Sequence, residues 1–584
     1  MKSKVFIASA ILAVMIVAGI FLQHTQASLF FYREQQQIFL IDADYIADLL
    51  RKPAGLATLM AQYLTQYFNT PGMGAILTAI VLGITGLFTW LTVRRIDSNF
   101  RFLPLALFPA FLQVAYLPNM GYHYEGLTAL LLCTLALYVY ALFADRANSL
   151  LRTIVGCILT AWLFLYAGSI ATLFAISTLV YDILQQHAKA YLTAGNLLVC
   201  LLLAAIYVSN GTIPGYDYAL WVKGYCEWFT EPGLWLSLSW VTLPIIMLIV
   251  WGIKRLSKPL VEIVLCQALF LAGGIFIVEQ TKVKTDKEFR TLATLMNCIN
   301  HEDWDGILSN PDLNTANYLH LNCLNLALSH KGKLMTDLFR YPQKGAQSVL
   351  AGYQAYNDVN VLFSHIYYQM GVVSEALCLS FGTMIATPNG NPTMLKLLVK
   401  ERLIYGDYDI AEKYISRLER TRSYRTWATD MRRFLHNEAA IESDPELGQK
   451  RRDLPKDPYS FAVVDGVMSD LLKVIGTASH ENNALEYAFA MLMLEKDMQG
   501  IKNLVERIDI NAWNGALPSL VQEAIVTYAE NDPDYCRSHG VTQETINRFQ
   551  TFRQRALEAR RSGQNGQAAL AQFRGSFWYF YMFA

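Results

Sequence analysis

The sequence predicts an all-α membrane protein in two parts: a polytopic bundle of about nine transmembrane helices over residues 1–279, then a water-soluble α-solenoid. Apolar segments of about 20 residues recur only up to residue 279, and this is the length a helix needs to cross a bilayer. Residues 1–279 hold only 15 of the 48 Lys and Arg residues and 13 of the 48 Asp and Glu residues. Beyond Thr285, apolar residues recur at helical spacing.

The composition limits the classes of function. The formal net charge is zero, so no electrostatic footprint indicates a nucleic-acid partner. The nine Cys residues are scattered, without a CxxC pair or the Cys/His spacing of a metal site. The sequence also lacks a glycine-rich phosphate loop, an HExxH motif and a nucleophile elbow, so ATP-driven transport, zinc proteolysis and serine hydrolysis have no support.

The first predicted span follows Lys2 and Lys4, a basic start typical of a signal peptide, but no cleavage site follows, so we expect a retained anchor. The other spans are single apolar segments, except for one stretch of 32 residues that is too long for one untilted crossing. The predicted spans are Val5–Leu22, Met73–Val93, Phe102–Leu117, Gly126–Ala144, Thr153–Leu184, Tyr191–Val208, Leu234–Ile253 and Leu260–Val278.

The long stretch Thr153–Leu184 decides the topology. If it breaks near Gly168, the chain has nine spans, and its short loops place eleven Lys and Arg residues inside against four outside. Without the break the chain has eight spans, and its short loops place eight Lys and Arg residues inside against seven outside. Cytoplasmic loops are the ones that collect basic residues, so nine spans are favoured. The prediction is a protein of the cytoplasmic (inner) membrane with a cytoplasmic N-terminus and an extracytoplasmic C-terminal domain.

The soluble part shows a repeated pattern. Gly371 is followed by Ala376, Gly406 is followed by Ala411, and the two glycines lie 35 residues apart. This pattern resembles tetratricopeptide repeats, which place glycine between paired helices and alanine where the helices pack closely. The resemblance implies a solenoid whose concave surface binds a protein partner.

The charged, proline-containing segment Ser443–Pro458 predicts a linker. The expected domains are therefore a transmembrane domain over 1–279, a tetratricopeptide-like block over 280–442, a linker over 443–458 and a second helical block over 459–584. The last block ends in the aromatic run 577–583, which we expect to dock on the helices as a cap.

Acidic residues in two outer loops are the candidate catalytic residues. Asp42 and Asp44 precede an interfacial helix predicted over Gly55–Phe68, and Glu125 lies in the next outer loop. This layout resembles GT-C-type glycosyltransferases, which use a sugar carried on a polyprenyl phosphate. The resemblance implies that Asp42 or Asp44 and Glu125 act as a base or as ligands of a divalent cation, with the lipid-linked sugar as substrate.

Each acid also has a structural interpretation. Asp42 or Asp44 can cap the helix that begins near Tyr45, and Glu125 can be favoured by the dipole of a span that begins there. His123 is interpreted as an ordinary residue at the level of the lipid headgroups. Two functions follow: a partner-binding or scaffolding protein of the cell envelope, which is the leading hypothesis, and a GT-C-like transferase, which is the alternative. The whole chain also resembles bacterial multispan proteins with tetratricopeptide-like tails.

Overall fold

A computed structural model describes most of the chain in two compact units. The first comprises Met1–Arg290 with Arg420–Ser423, and the second comprises Thr291–Glu419 with Tyr424–Ala584. Apart from isolated β-bridge residues, the described residues form helices and connecting loops, so the all-α prediction is confirmed. The described residues are 2–98, 102–119, 121–227, 231–255, 259–284, 287–315, 317–352, 357–387, 390–455, 466–477, 483–508, 517–530 and 532–583.

The first unit consists of apolar helices joined by short turns. Its large apolar side chains include several that point away from the protein, among them Val17, Leu198 and Ile275, as lipid-facing residues do. The α-helices span Lys2–Gln35, Ala43–Arg51, Gly55–Thr65, Met73–Ile96, Leu103–Phe111, Glu125–Ala144, Ser149–Ala167, Ile170–Leu184, Gly195–Ser209, Tyr216–Leu220, Leu234–Lys254, Pro259–Lys284 and Lys287–Asn300, the last of which crosses into the second unit.

Within the part of the chain that the structure describes, six helical segments are long and apolar enough to cross a membrane: Ile7–Gln35, Met73–Ile96, Glu125–Ala144, Ser149–Ala167, Ala190–Ser209 and Val261–Thr281. Three shorter apolar helices of the first unit are Leu103–Ala115, Ile170–Leu184 and Trp240–Lys254. The helices support a membrane environment for this unit. Nine crossings, the identity of the membrane and the orientation of the chain stay predictions.

The predicted interruption of Thr153–Leu184 is present in the structure. One helix ends at Ala167, Gly168 has φ +85°, and the next helix begins at Ile170. The hydroxyl of Tyr225 donates to the carbonyl oxygen of Ala167 and accepts from the backbone N–H of Ile170. A buried phenol thus satisfies backbone groups that the break would otherwise leave without partners.

The first helix is longer than predicted, because it continues to Gln35 and does not end near Leu22. Its polar residues find partners inside the unit. Gln26 donates to the carbonyl oxygen of Val114 at 3.3 Å, and Arg33 is buried, with its guanidinium donating to the carbonyl oxygens of Asn119 and Tyr122 at 3.1 and 2.8 Å. The predicted outer loop therefore begins at the end of this helix.

A second buried charge joins helix ends in the first unit. Arg152 Nε lies 2.8 Å from Asp182 Oδ2, and both side chains are almost fully buried. The carboxylate of Asp182 also accepts from the hydroxyl groups of Tyr140 and Thr193. Buried ion pairs persist when hydrogen bonds satisfy the remaining lone pairs, and this network meets that requirement.

The second unit is a set of short helices around a continuous apolar core. Its α-helices from Trp304 onward span Trp304–Leu308, Tyr318–His330, Leu334–Asp337, Asn357–Met370, Val373–Ala386, Pro392–Tyr405, Tyr408–Glu419, Arg425–Met431, Glu438–Ser443, Leu447–Arg452, Val467–Thr477, Asn483–Glu495, Met498–Arg507, Ser519–Tyr528, Pro533–Ser538, Gln543–Ser562, Gly566–Ala569 and Phe577–Phe583.

Both glycines of the repeat pattern lie in turns between paired helices. Gly371 has φ +86° and Gly406 has φ +80°, a region that glycine occupies without strain. Ala376 and Ala411 are fully buried where the helices pack. The two predicted hairpins are therefore present, while a continuous tetratricopeptide-like solenoid stays a prediction.

The segment 443–458 is not all loop, since Leu447–Arg452 is helical and residues 456–458 lie outside the described residues. Asp444 starts this helix, because its Oδ1 accepts from the backbone N–H groups of Glu446 and Leu447 at 3.0 and 2.9 Å. The charged residues that indicated a linker therefore line a structured element. The domain limits proposed from the sequence stay predictions.

Candidate functional site

The predicted acids Asp42 and Asp44 lie at the start of a short helix. Asp42 Oδ1 accepts from the backbone N–H groups of Asp44 and Tyr45 at 3.0 and 3.1 Å, and Asp42 Oδ2 lies 3.2 Å from Arg420, which belongs to the same unit. Asp44 is exposed in the first turn. The capping interpretation of Asp42 is therefore present in the structure. A catalytic role for either acid stays a prediction.

Glu125 begins the helix Glu125–Ala144 and is half-buried. Its carboxylate is close enough to His123 to interact with it electrostatically. The acid therefore belongs to the loop that contains His123, and the buried guanidinium of Arg33 holds that loop by its carbonyl groups. A catalytic role for Glu125 also stays a prediction.

His123 and Glu227 form a pair that the sequence analysis did not propose. An isolated β-bridge joins Tyr122 to Cys226, and beside it the backbone N–H of His123 donates to the carbonyl oxygen of Tyr225 at 2.8 Å. This pairing places His123 Nε2 3.1 Å from Glu227 Oε1. Two loops that the sequence predicts to be outer loops, 118–125 and 209–233, thus meet through the side chains of His123 and Glu227.

The pair and Glu125 shift the ionisation of the imidazole. Burial alone lowers the pKa of His123, but the hydrogen bond to Glu227 and the charge of Glu125 outweigh burial and raise the pKa above its ordinary value. The hydrogen bond from His123 lowers the pKa of Glu227. A protonated imidazole beside two carboxylates can bind a phosphate oxygen or donate a proton.

The second unit contains a polar cavity of about 340 Å³. It opens to solvent near Glu302 and His330, both of which are exposed. The rings of Trp304 and His330 stack at 3.9 Å with an angle of 9° and form one wall. The other walls come from the helices 357–370, 392–405 and 447–452 and from Val474 and Asn483.

Helical spacing explains why polar groups converge on this cavity. His365, Tyr368 and Gln369 are three and four residues apart and share one face of their helix, and Lys396 and Lys400 are four apart on another. Asn391 caps the second helix through an acceptor contact of 3.0 Å to the N–H of Met394. The side chains that line the cavity include those of His365, Tyr368, Gln369, Lys396 and Lys400.

Lys400, Lys450 and Glu446 form a charged cluster in the wall of the cavity. Lys400 Nζ lies 2.8 and 3.0 Å from the two carboxylate oxygens of Glu446, and the hydroxyl of Tyr368 donates to the same carboxylate at 2.8 Å. Lys450 is buried and donates to the carbonyl oxygen of Tyr368 at 2.6 Å. Burial lowers the pKa of Lys450 to about 8, despite the opposing charge of Glu446.

His365 presents a polar atom without a partner. Among the described residues, Nε2 of His365 is buried and makes no hydrogen bond. Burial, followed by the positive charges of His330, Lys400 and Lys396, lowers the pKa of His365 to about 3, so the imidazole is neutral at pH 7. A buried polar atom that lacks a partner costs roughly 1–3 kcal/mol.

The sequence analysis missed this cavity, since its residues come from segments far apart in the chain. The one local signal was the charged segment 443–458, which contains Glu446 and Lys450 and indicated a linker. Across the residues that the structure describes, no group of three or more His, Cys, Asp and Glu residues could hold a metal ion. A divalent cation at Asp42, Asp44 and Glu125 therefore remains implied only by the GT-C resemblance.

Comparison with known proteins assigns a family but no activity. No curated protein matches the chain, and no solved structure matches it. The family match gives no support to the tetratricopeptide or GT-C resemblance. It covers residues 2–584, and the chain therefore belongs to DUF6057, a family of unknown function.

Proposed function

We propose that this protein is a membrane-embedded binding protein whose soluble helical unit captures a ligand in its polar cavity. The observation that carries the proposal is the cavity itself, which has a volume of about 340 Å³ and is lined by a buried lysine, Lys450, and by the neutral imidazole of His365. This volume lies within the range of small-molecule sites, and charged groups with perturbed pKa values cluster at functional sites.

The leading hypothesis from the sequence was partner binding or scaffolding in the cell envelope. The cavity makes that proposal specific, because a defined concave site would discriminate among ligands. In the proposed topology the first unit makes nine crossings of the cytoplasmic membrane, and the second unit lies outside the cytoplasm. In this arrangement the surface of the second unit can bind a protein partner while its cavity binds a ligand.

The binding proposal predicts that a bulky side chain placed in the cavity prevents a ligand from stabilising the protein. Gln449 lines the cavity and is half-buried, so Gln449→Trp places an indole there. We expect a small-molecule extract of the host cells to raise the melting temperature of the detergent-purified full chain by several degrees, as a ligand at about 100 times its Kd adds about 2.7 kcal/mol. The Gln449→Trp variant should lose this shift.

The exposed residue Gln499 supplies a matched control for this measurement. Gln499→Trp adds the same indole outside the cavity and should keep the full shift. If the extract stabilises none of the three proteins, or stabilises all three equally, the cavity is not the ligand site and the binding proposal is wrong.

We propose a GT-C-like transferase as the second candidate function. The observation that favours it is the meeting of His123, Glu227 and Glu125 in the outer loops. A protonated His123 is suited to a lipid-borne phosphate, and Glu125 is a candidate base for the acceptor. Asp42 and Asp44 would then supply the further acid that the GT-C layout implies.

The transferase proposal predicts a large loss when Glu125 is changed to Gln. Removal of a general base costs about 10²–10⁴ in rate, so membrane vesicles with Glu125→Gln should transfer labelled sugar from endogenous polyprenyl phosphates at least a hundredfold more slowly. Asp42→Asn tests the other acid without loss of the helix cap, because Asn caps as well as Asp. Asp48→Asn, at an exposed position, is the control. Equal transfer by all variants, or no transfer by the wild type, contradicts the proposal.

A further inference from the structure

We infer that the cavity of the second unit binds a small molecule through a phosphate group, which Lys396, Lys400 and Lys450 hold while the aromatic wall of Trp304 contacts the rest of the ligand. This inference rests on the proposed binding function, since it names the ligand class of the same site. The three lysines come from two helices and line one cavity, where their ammonium groups can bind an anion.

Three acids also line the cavity: Glu302, Glu446 and Asp453. Glu446 pairs with Lys400 and accepts from the hydroxyl of Tyr368, so it offsets part of the positive charge. Glu302 is exposed at the mouth, and Asp453 acts on Lys450. At His365 the nearby charges are those of Lys396 and Lys400, and both favour an anion. Burial lowers the pKa of His330 to about 4, so its imidazole is neutral at pH 7.

The kind of cation favours phosphate over carboxylate. Arginine binds planar carboxylates through a two-pronged fork, and no arginine is among the described residues that line the cavity. Lysine is a point charge that suits the tetrahedral array of phosphate oxygens. The imidazole of His365, which also lines the cavity, is neutral and adds no negative charge beside the lysines.

The volume indicates that the ligand is larger than inorganic phosphate. A cavity of about 340 Å³ holds the volume of about ten water molecules at roughly 30 Å³ each. The stacked rings of Trp304 and His330 provide a flat surface beside the lysines. An organic phosphate with a ring fits both features, because the ring can pack on the aromatic wall while the phosphate meets the lysines.

The test is calorimetric titration of the detergent-purified full chain with inorganic phosphate, phenyl phosphate and uncharged phenol. We expect phenyl phosphate to bind, inorganic phosphate to compete with it more weakly, and phenol to show no binding. Lys396→Met and Lys400→Met should each weaken phenyl phosphate at least tenfold. The exposed Lys413, which lies outside the cavity, supplies the control Lys413→Met. Protection of the buried Cys323 thiol from a labelling reagent verifies that each variant is folded.

The pH dependence of binding gives a second measurement without a variant. Glu446, Lys400, Asp453 and Tyr368 face Lys450, and the pKa of Lys450 is about 8 in the free protein. The charged ammonium is the form that binds an anion, and it is lost as the pH rises through 8. Affinity for phenyl phosphate should therefore fall about eightfold between pH 7.5 and pH 9, where the phosphate itself stays dianionic.

The outcomes separate this inference from the proposed function. If the cell extract stabilises the wild type but not Gln449→Trp, while neither phosphate binds, the cavity binds a ligand of another class and only the phosphate inference is wrong. If phenyl phosphate binds equally well to the wild type and both lysine variants, the phosphate inference is also wrong. If neither the extract nor the phosphates bind, both proposals fail.

Discussion

Trp578→Ala should destabilise the second unit by about 3–5 kcal/mol, the range for removal of a buried Trp or Phe side chain. Trp578 is 2% exposed, and its indole packs on the rings of Phe549 and Phe552 at centroid distances of 5.2 and 5.8 Å. Its Nε1 donates to the carbonyl oxygen of Glu523 at 2.9 Å. The variant therefore loses apolar contacts and leaves a buried carbonyl without this donor.

The same helix also satisfies a buried carboxylate. Oε2 of Glu523 accepts from the backbone N–H of Phe577 at 2.7 Å, and Arg548 lies 3.3 Å from Oε1. Burial raises the pKa of Glu523 to about 7, which shows how little water reaches it. Movement of the terminal helix would break the hydrogen bond from Phe577, and we expect this loss to add to that of the indole contacts.

Labelling of buried thiols measures this destabilisation in the intact protein. Cys323 and Cys536 are free, and both are buried in the second unit. A loss of about 3 kcal/mol raises the population of the open state about a hundredfold, so these thiols should react about a hundredfold faster in Trp578→Ala. Met582 is on the same helix and is 49% exposed, so Met582→Ala is the matched control. Equal labelling rates in the two variants would show that the terminal helix does not stabilise the unit.

Local chemistry explains the parts of the fold that were predicted correctly. Gly371 and Gly406 each need a positive φ, and Ala376 and Ala411 lie where only a small side chain fits, so the hairpins were visible in the sequence. The break at Gly168 was predicted from helix length. The docked aromatic C-terminus followed from the need of so many aromatic rings to leave water.

Tertiary contacts explain what the sequence did not show. Gln26 and Arg33 made the end of the first helix look like a loop, and only the carbonyl groups of residues 114–122 make those polar side chains compatible with a buried helix. Asp182 is close to Arg152 only because two helices turn back on each other. Such partners leave no periodic signal in the chain.

The residues of the candidate sites also differ in whether their partners are close to them in the sequence. The capping role of Asp42 was predictable because it depends on residues two and three positions away. The pairing of His123 with Glu227 depends on a bridge between distant loops. The cavity is formed by several separate helices, so no short segment of the sequence indicates it. Nε2 of His365 stands out only in the fold, where it is buried and has no hydrogen-bond partner among the described residues.

Alkaline phosphatase fused after the C-terminal residue should be active, and a fluorescent protein that folds only in the cytoplasm should be dark at the same position. This result follows if the chain crosses the membrane nine times from a cytoplasmic N-terminus. The number of crossings depends on the helices Ser149–Ala167 and Ile170–Leu184, which Gly168 separates. Nine crossings require that each of these helices is a span. With both helices as spans, basic residues in short loops favour the cytoplasmic side by eleven to four.

Fusions after Ile96 provide the matched control, because the second span ends there and both models place that loop in the cytoplasm. The two reporters should give the opposite pattern at Ile96: an inactive phosphatase and a bright fluorescent protein. A bright fluorescent protein at both positions would indicate eight crossings. In that case the hydroxyl of Tyr225 would stabilise a kink within one span, and the cavity of the second unit would face cytoplasmic ligands.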